Sequence, residues 1–226
     1  MKQYLIKIIR WPPGCLIFFL VACQANTSYK QLIITTEDSL ASEAIIKRAY
    51  ANILVAEKNI KNGDLVTRRG NDFTSECLRL LNQRDKTYSH CGIATIEHDS
   101  VFVYHALGGE WNPDQKIRRD PFVVFADPYS NRGIGLYHFG FADSIQNKLV
   151  TIVQNFYTQG IRFDMDFDLN TDDRMYCAEF IYKSVVKANA HHMLFNHSSI
   201  KQFEFIGVDD IFLNPACTLK QQIIYK

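Results

Sequence analysis

"TYSHCGIATIEHDSVFVYHALGG", residues 87 to 109, places alternating or apolar runs on either side of a short polar break at His98-Asp99. Two strands joined by a tight turn are the simplest reading of that pattern. A turn centred on His98-Asp99 pairs Glu97 with Ser100, which sets His90 opposite Leu107 and His105 opposite Gly92. Side chains two positions apart share a face. His90 and His105 then project to the same side as diagonal neighbours, roughly 7–8 Å apart at Cβ. A slip of one residue would separate them to opposite faces. His98, in the turn, reads as solvated.

Working outward, "NGDLVTR" gives a turn and a short strand before this hairpin, and "DFTSECLRLLNQ" has helical spacing through Phe73, Cys77, Leu80 and Leu81. Residues 37 to 60 read as an amphipathic helix with Leu40, Ala44, Ile45, Ala49, Ile53 and Leu54 near one stripe. After the hairpin, "PFVVFA" and "GIGLYHF" are two more strand candidates. "DSIQNKLVTIVQNFYTQG" is a helix opened by Asp143 or Ser144 and closed by Gly160. "FDMDFDL" reads as extended, "CAEFIYKSVVKANA" as a second long helix, and the C-terminal region as a strand, a turn and a last strand. Strands in an antiparallel meander flanked by helices indicate an α+β fold with a central antiparallel sheet packed with helices.

The chain has 226 residues, 47% of them hydrophobic, enough for one domain with a proper core. With 25 basic and 24 acidic residues the formal net charge is +1, which gives no argument for a nucleic-acid partner. The first thirty residues differ from the rest. Lys2, Lys7 and Arg10 precede the apolar run "CLIFFLVA", and a small polar stretch follows Cys23. That order reads as a secretory signal, too short to span a bilayer comfortably and interrupted by Pro12 and Pro13. The tetrad Leu20-Val21-Ala22-Cys23 resembles the lipobox of bacterial lipoproteins, which implies that Cys23 is acylated and becomes the new N-terminus. Gln24, rather than Asp, after the cysteine implies by the same resemblance an outer-membrane anchor facing the periplasm. The organisation expected is a signal at 1–23, a tether at 24–36 and a single domain at 37–226.

Cys77, Cys91, Cys177 and Cys217 remain in the folded part. Export makes pairing possible, and four cysteines allow three connectivities between which sequence does not choose. Cys177 stands at the first turn of its helix. Free cysteine is among the most buried residue types, so a small core residue is the plain reading. A thiol at a helix N-terminus, however, meets the positive end of the dipole and unpaired N–H groups, which favour thiolate and offer an oxyanion a donor. Cys177, His90 and His105 then supply a nucleophile, a base and an orienting group.

The order "GDLV", "YSHCGI", "VYHA", "YCAEF" resembles the permuted papain-like amidases of the YiiX/YebB type, relatives of NlpC-type cell-wall peptidases and of lecithin–retinol acyltransferase. The resemblance spans roughly residues 62 to 186. It implies a circularly permuted papain-like fold with the base at His90, the nucleophile at Cys177 and the third residue at His105. Permuted relatives often carry an acidic residue in that third place. Cys91 stands where valine is usual and reads as packing, and Asp64 reads as a turn residue. Glu179 reads as a cap or salt-bridge partner, and Tyr88 and Tyr176 as packed flanking groups.

Metal readings are weaker. The chain offers no H-x-x-x-H pair and no C-x-x-C, and His191-His192 faces two ways. Asp164, Asp166 and Asp168 have the spacing of a calcium loop, but Leu169 and Met175 occupy the positions that need glycine and glutamate. No metal or cofactor is expected. The expected activity is that of a cysteine-dependent amidase or peptidase of the bacterial envelope, working through an acyl-enzyme on a small peptide or amide. The alternatives are a lipid acyltransferase or deacylase with the same triad, and an inactive lipoprotein that binds a ligand or partner. An apolar groove beside Cys177 would favour lipid substrates, and a polar, narrow cleft would favour peptides.

Overall fold

A computed structural model describes residues 36–109, 111–189 and 195–225. The leader, Cys23 and His191-His192 lie outside the described residues. The chain runs α1 (Thr36–Glu57), β1 (Leu65–Gly70), α2 (Phe73–Leu81), β2 (His90–Glu97), β3 (Ser100–His105) and β4 (Arg118–Pro121). It continues through α3 (Phe122–Phe125), β5 (Asn131–Phe139), α4 (Asp143–Gln159) and α5 (Cys177–Ala188). It closes with β6 (Ser198–Ile200), β7 (Phe203–Phe205), α6 (Val208–Phe212) and β8 (Cys217–Ile224).

Six strands form one sheet in the order β4-β3-β2-β1-β5-β8, with each neighbouring pair antiparallel. The β2–β3 register is the one expected, with Glu97 on Ser100 and Ile93 on Tyr104. His98 and Asp99 carry φ of 49° and 64°, the doubly left-handed geometry that a two-residue hairpin turn requires. Both faces of the sheet are covered. Leu65, Ile93 and Tyr104 enter one core beneath α4 and α5, and their neighbours Val66, Ala94 and Val103 enter another beneath α1 and α3. Among the described residues no helix is long and apolar enough to cross a membrane.

Several expectations need correction. "PFVVFA" is not a strand: it forms α3, in which Phe122 and Phe125, three apart, are buried together while Val124 is exposed. A strand would have grouped Phe122 with Val124. The buried stripe of α1 keeps Ala49 and Ile53 as expected but continues through Ile46 and Ala56, leaving Leu40 and Leu54 in solvent, because α1 packs chiefly on α3 and β8. α4 starts after Ala142 without a side-chain cap, and ends as expected at Gly160 in the left-handed region. The C-terminal turn is the short helix α6.

"FDMDFDL" is a loop. Asp164, buried, accepts the backbone N–H groups of Asp166 at 2.8 Å and Asp168 at 2.7 Å. Its carboxylate is a clasp for its own loop, which leaves it poorly placed as a calcium ligand. The clasped loop holds Phe167 at φ 55°.

Candidate active site

β2 and β3 bring the two histidines together as the register requires. His90 Nε2 lies 2.8 Å from His105 Nδ1, and both rings pack on Phe125 of α3. Gly92 makes room for this: a Cβ there would stand 3.0 Å from the Cβ of His105. Beyond His105 the chain of contacts continues to Asp120 of β4, whose Oδ2 is 3.0 Å from His105 Nε2.

These contacts fix the protons. Asp120 accepts, so His105 Nε2 donates and His105 Nδ1 is left as an acceptor for neutral imidazole. His90 Nε2 then donates to it, and His90 Nδ1 carries a free lone pair. Burial lowers the pKa of His105 to about 4, against the pull of Asp120. Burial, with Arg68 and His105 nearby, pushes His90 well below the ordinary histidine range. Asp120 is held low by its hydrogen bonds from His105 and Arg118, which outweigh its desolvation. The pair is therefore a neutral relay with an unprotonated nitrogen at its open end.

Cys177 is the first residue of α5 and is buried. The groups that act on its sulfur are the Cys91 thiol and the backbone amides of Cys91 and Ala178, and the His90 ring is not among them. Successive strand residues face opposite sides, so His90 and Cys91 leave β2 toward α3 and α5 respectively. The two halves adjoin where the sheet opens. Ala94 N–H donates to Asp64 on the β1 side, so Cys91 N–H points to the β3 side. There the pairing has already ended at Ile93–Tyr104, and the free amide is taken by Cys177.

The hydrogen bond from the Cys91 thiol is the largest influence lowering the Cys177 pKa, and burial opposes it. The cation that acts on Cys177 is Arg68, not an imidazolium. Arg68 pairs with His90 across β1 and β2, lies over Phe125 and donates to the Phe125 carbonyl. Cys91 is raised by burial and by Cys177, so of the two thiols Cys177 ionises first. Cys91 packs in the core as expected, and it also acts on Cys177. All four described cysteines are free thiols.

The remaining flanking residues are structural. Glu179 accepts the Tyr176 amide at 3.1 Å and pairs with Lys183, and burial raises it to about 7. Tyr176 Oη accepts the Ile206 amide, and Tyr88 Oη accepts from Gln222. Asp64 caps its turn through the Lys61 amide and also meets His138.

Sequence reasoning missed Arg68, Asp120 and Arg118. Arg68 left a signal, a charge inside the apolar strand "LVTR". Asp120 left little, since β4 is four residues of "RRDP" without periodicity.

Beside Cys177 opens a small cleft lined mainly by apolar groups, among them Leu78, Leu81, Phe167, Phe205 and Ile206. Among the described residues no group of three His, Cys, Asp or Glu side chains could hold a metal ion. The site itself fits one poorly, because His90 Nε2, His105 Nδ1 and His105 Nε2 are already committed to hydrogen bonds.

No family model matches the chain, and no curated protein matches it. Among solved structures, the metalloprotein YiiX from Escherichia coli O157:H7 has a similar fold, with a TM-score of 0.60 at 17% identity. The likeness covers 73% of this chain and 98% of that one. It supports a shared α+β architecture; the chemistry has to be argued from the residues above.

Proposed function

We propose that the protein is a cysteine-dependent hydrolase of permuted papain-like fold, with Cys177 as nucleophile, His90 as base and His105 as the positioning residue. The observation that carries this reading is the relay from Asp120 through His105 to His90, which leaves His90 Nδ1 unprotonated, one residue along β2 from Cys91. In the reaction the Cys177 sulfur turns from Cys91 toward His90 as substrate enters. His90 Nδ1 takes the thiol proton while sulfur attacks the carbonyl carbon of an amide or ester. Backbone N–H at the start of α5 faces the developing oxyanion. His90 returns the proton to the leaving group as the carbonyl re-forms, giving a thioester on Cys177. Water, deprotonated by His90, then releases the carboxylic acid and the thiol. Asp120 keeps the relay in one tautomer throughout.

The N-terminal leader adds a location to this reading: a lipoprotein anchored through Cys23 and working at the bacterial envelope. Intact mass of protein taken from the membrane fraction tests it, the expected species starting at an acylated Cys23. For the chemistry, the test is trapping of an acyl adduct with activated esters and amides. Wild type is expected to accumulate a thioester on Cys177, and Cys177→Ala to accumulate none. An adduct elsewhere, with turnover intact in Cys177→Ala, would overturn the assignment.

A further inference from the structure

β1 and β5 keep a regular register from Leu65 to Arg69, and there it breaks. Arg69 lies opposite Gly133 and Gly70 opposite Asn131, so Arg132 is an extra residue in β5, a β-bulge. In unbroken register Arg132 would pair with Gly70 and leave the sheet on the side away from Arg69. The bulge instead sets both arginines around the same two adjoining clefts. Gly133 lines the floor between them, and a Cβ there would stand 2.5 Å from the Ile223 carbonyl oxygen. Neither cleft shares a lining residue with the cleft beside Cys177.

The carboxylates at this corner are already committed. Glu76 accepts from Arg79 through Nε at 3.0 Å and through Nη2, while Arg69 Nη2 stays 4.0 Å away, too far for a hydrogen bond. Asp72 accepts the Ser75 amide at 2.9 Å and the Ser75 hydroxyl at 2.6 Å. Arg69 Nε is buried and finds no acceptor among the described residues. Arg132 is exposed, acts on Glu76 through space and joins no ion pair among the described residues. A buried donor left without an acceptor is costly, and a planar two-oxygen group satisfies a guanidinium fork best. Arg69, Arg79 and Arg132 against Asp72 and Glu76 leave one positive charge, which a singly charged anion neutralises. A phosphate group, with more than one negative charge at neutral pH, would set its surplus against Asp72 and Glu76. The cleft bounded by these charges holds about 320 Å³. The adjoining one holds about 180 Å³ and is lined by Tyr88, Gln222 and Ile224 among others.

We propose that Arg69 and Arg132 bind the carboxylate of a small molecule whose apolar body lies in the adjoining cleft against Tyr88 and Ile224. The site is separate from Cys177 and does not depend on the hydrolase reading. The test is titration of the full chain with isovalerate, a carboxylate on an isobutyl group, followed through the arginine Nε–H resonances. Isovaleramide, of the same shape without the charge, and inorganic phosphate are titrated in parallel. Saturable binding of isovalerate is expected, with the amide and phosphate each weaker by at least about tenfold. Arg132→Gln is expected to weaken isovalerate by at least about tenfold, and the position is exposed, so the fold is not threatened. Arg69→Lys keeps the charge but loses the fork, and a smaller loss is expected. Isovalerate that fails to saturate, that binds no better than its amide, or that binds equally well to Arg132→Gln overturns the proposal. Phosphate binding more tightly than isovalerate overturns the assignment to a carboxylate.

Discussion

Two of the helices that border the Cys177 cleft obey opposite rules. α5 buries Cys177, Ala178, Phe180, Ile181, Val185 and Ala188 against the sheet, whereas α2 buries nothing fully and hangs from Asp72 and Asn82. The first helix holds the Cys177 sulfur against the core. The second leaves an apolar surface open beside it. The difference makes the two sides of one cleft respond differently to mutation.

The largest effect belongs to the packed side. His90→Ala is expected to lower kcat/KM by roughly 10²–10⁴-fold, with folding retained, in a steady-state assay against whichever ester responds. Phe180→Ala, in the middle of α5, is expected to cost about 3–5 kcal/mol in denaturant unfolding, whereas Phe73→Ala on α2 changes stability by less than about 0.5 kcal/mol. Equal costs at the two positions would erase the distinction between the helices.

Next in size is Asp120→Asn. It replaces an acceptor-only carboxylate with a neutral amide that also presents a donor, so the relay tautomer is no longer fixed, and a drop in kcat of at least about tenfold with little change in KM is expected. Because burial keeps both histidines neutral well below their ordinary value near 6.5, the acid limb of kcat/KM should fall below pH 6.5. The same shift has a stability consequence. His105, with a folded pKa of about 4, contributes stability that is complete above 6.5 and lost as pH falls from 6.5 toward 4. An acid limb at or above 6.5 would mean that His90 is not the neutral base.

Smallest is the tuning of the thiol. Cys91→Val and Arg68→Gln each remove an influence that lowers Cys177, so the midpoint for its alkylation should move to higher pH in both variants. Indifference to Cys91 would show that its thiol contact is packing after all.

How much of this was legible depends on distance along the chain. The His90–His105 pair was readable because one turn, His98-Asp99, fixes every residue opposite every other. Gly160 announced its helix end. By contrast, "PFVVFA" is apolar at every position, and nothing within it tells a one-turn helix from a strand; Pro121 and the neighbouring core decide. The inward face of α1 was misjudged by one position, since Ile45 and Ile46 are equally apolar and only the arrangement of α3 and β8 selects Ile46. Cys177, His90 and His105 stand out by motif, but their arrangement does not. That Cys177 meets Cys91, and that Arg68 supplies the nearby charge, depends on where β2 and β3 part, which no local pattern encodes.

Asp120 sits on β4, the outer strand of the sheet, beside Arg118 and Arg119 and ahead of Pro121. Charge and proline at a sheet's margin are what prevent one molecule's open edge from pairing with another's. The same four residues thus serve colloidal stability and the tautomer of a buried imidazole. A neutral, strand-loving replacement for Asp120 would mute the relay and at the same moment leave this edge with one charge fewer against pairing.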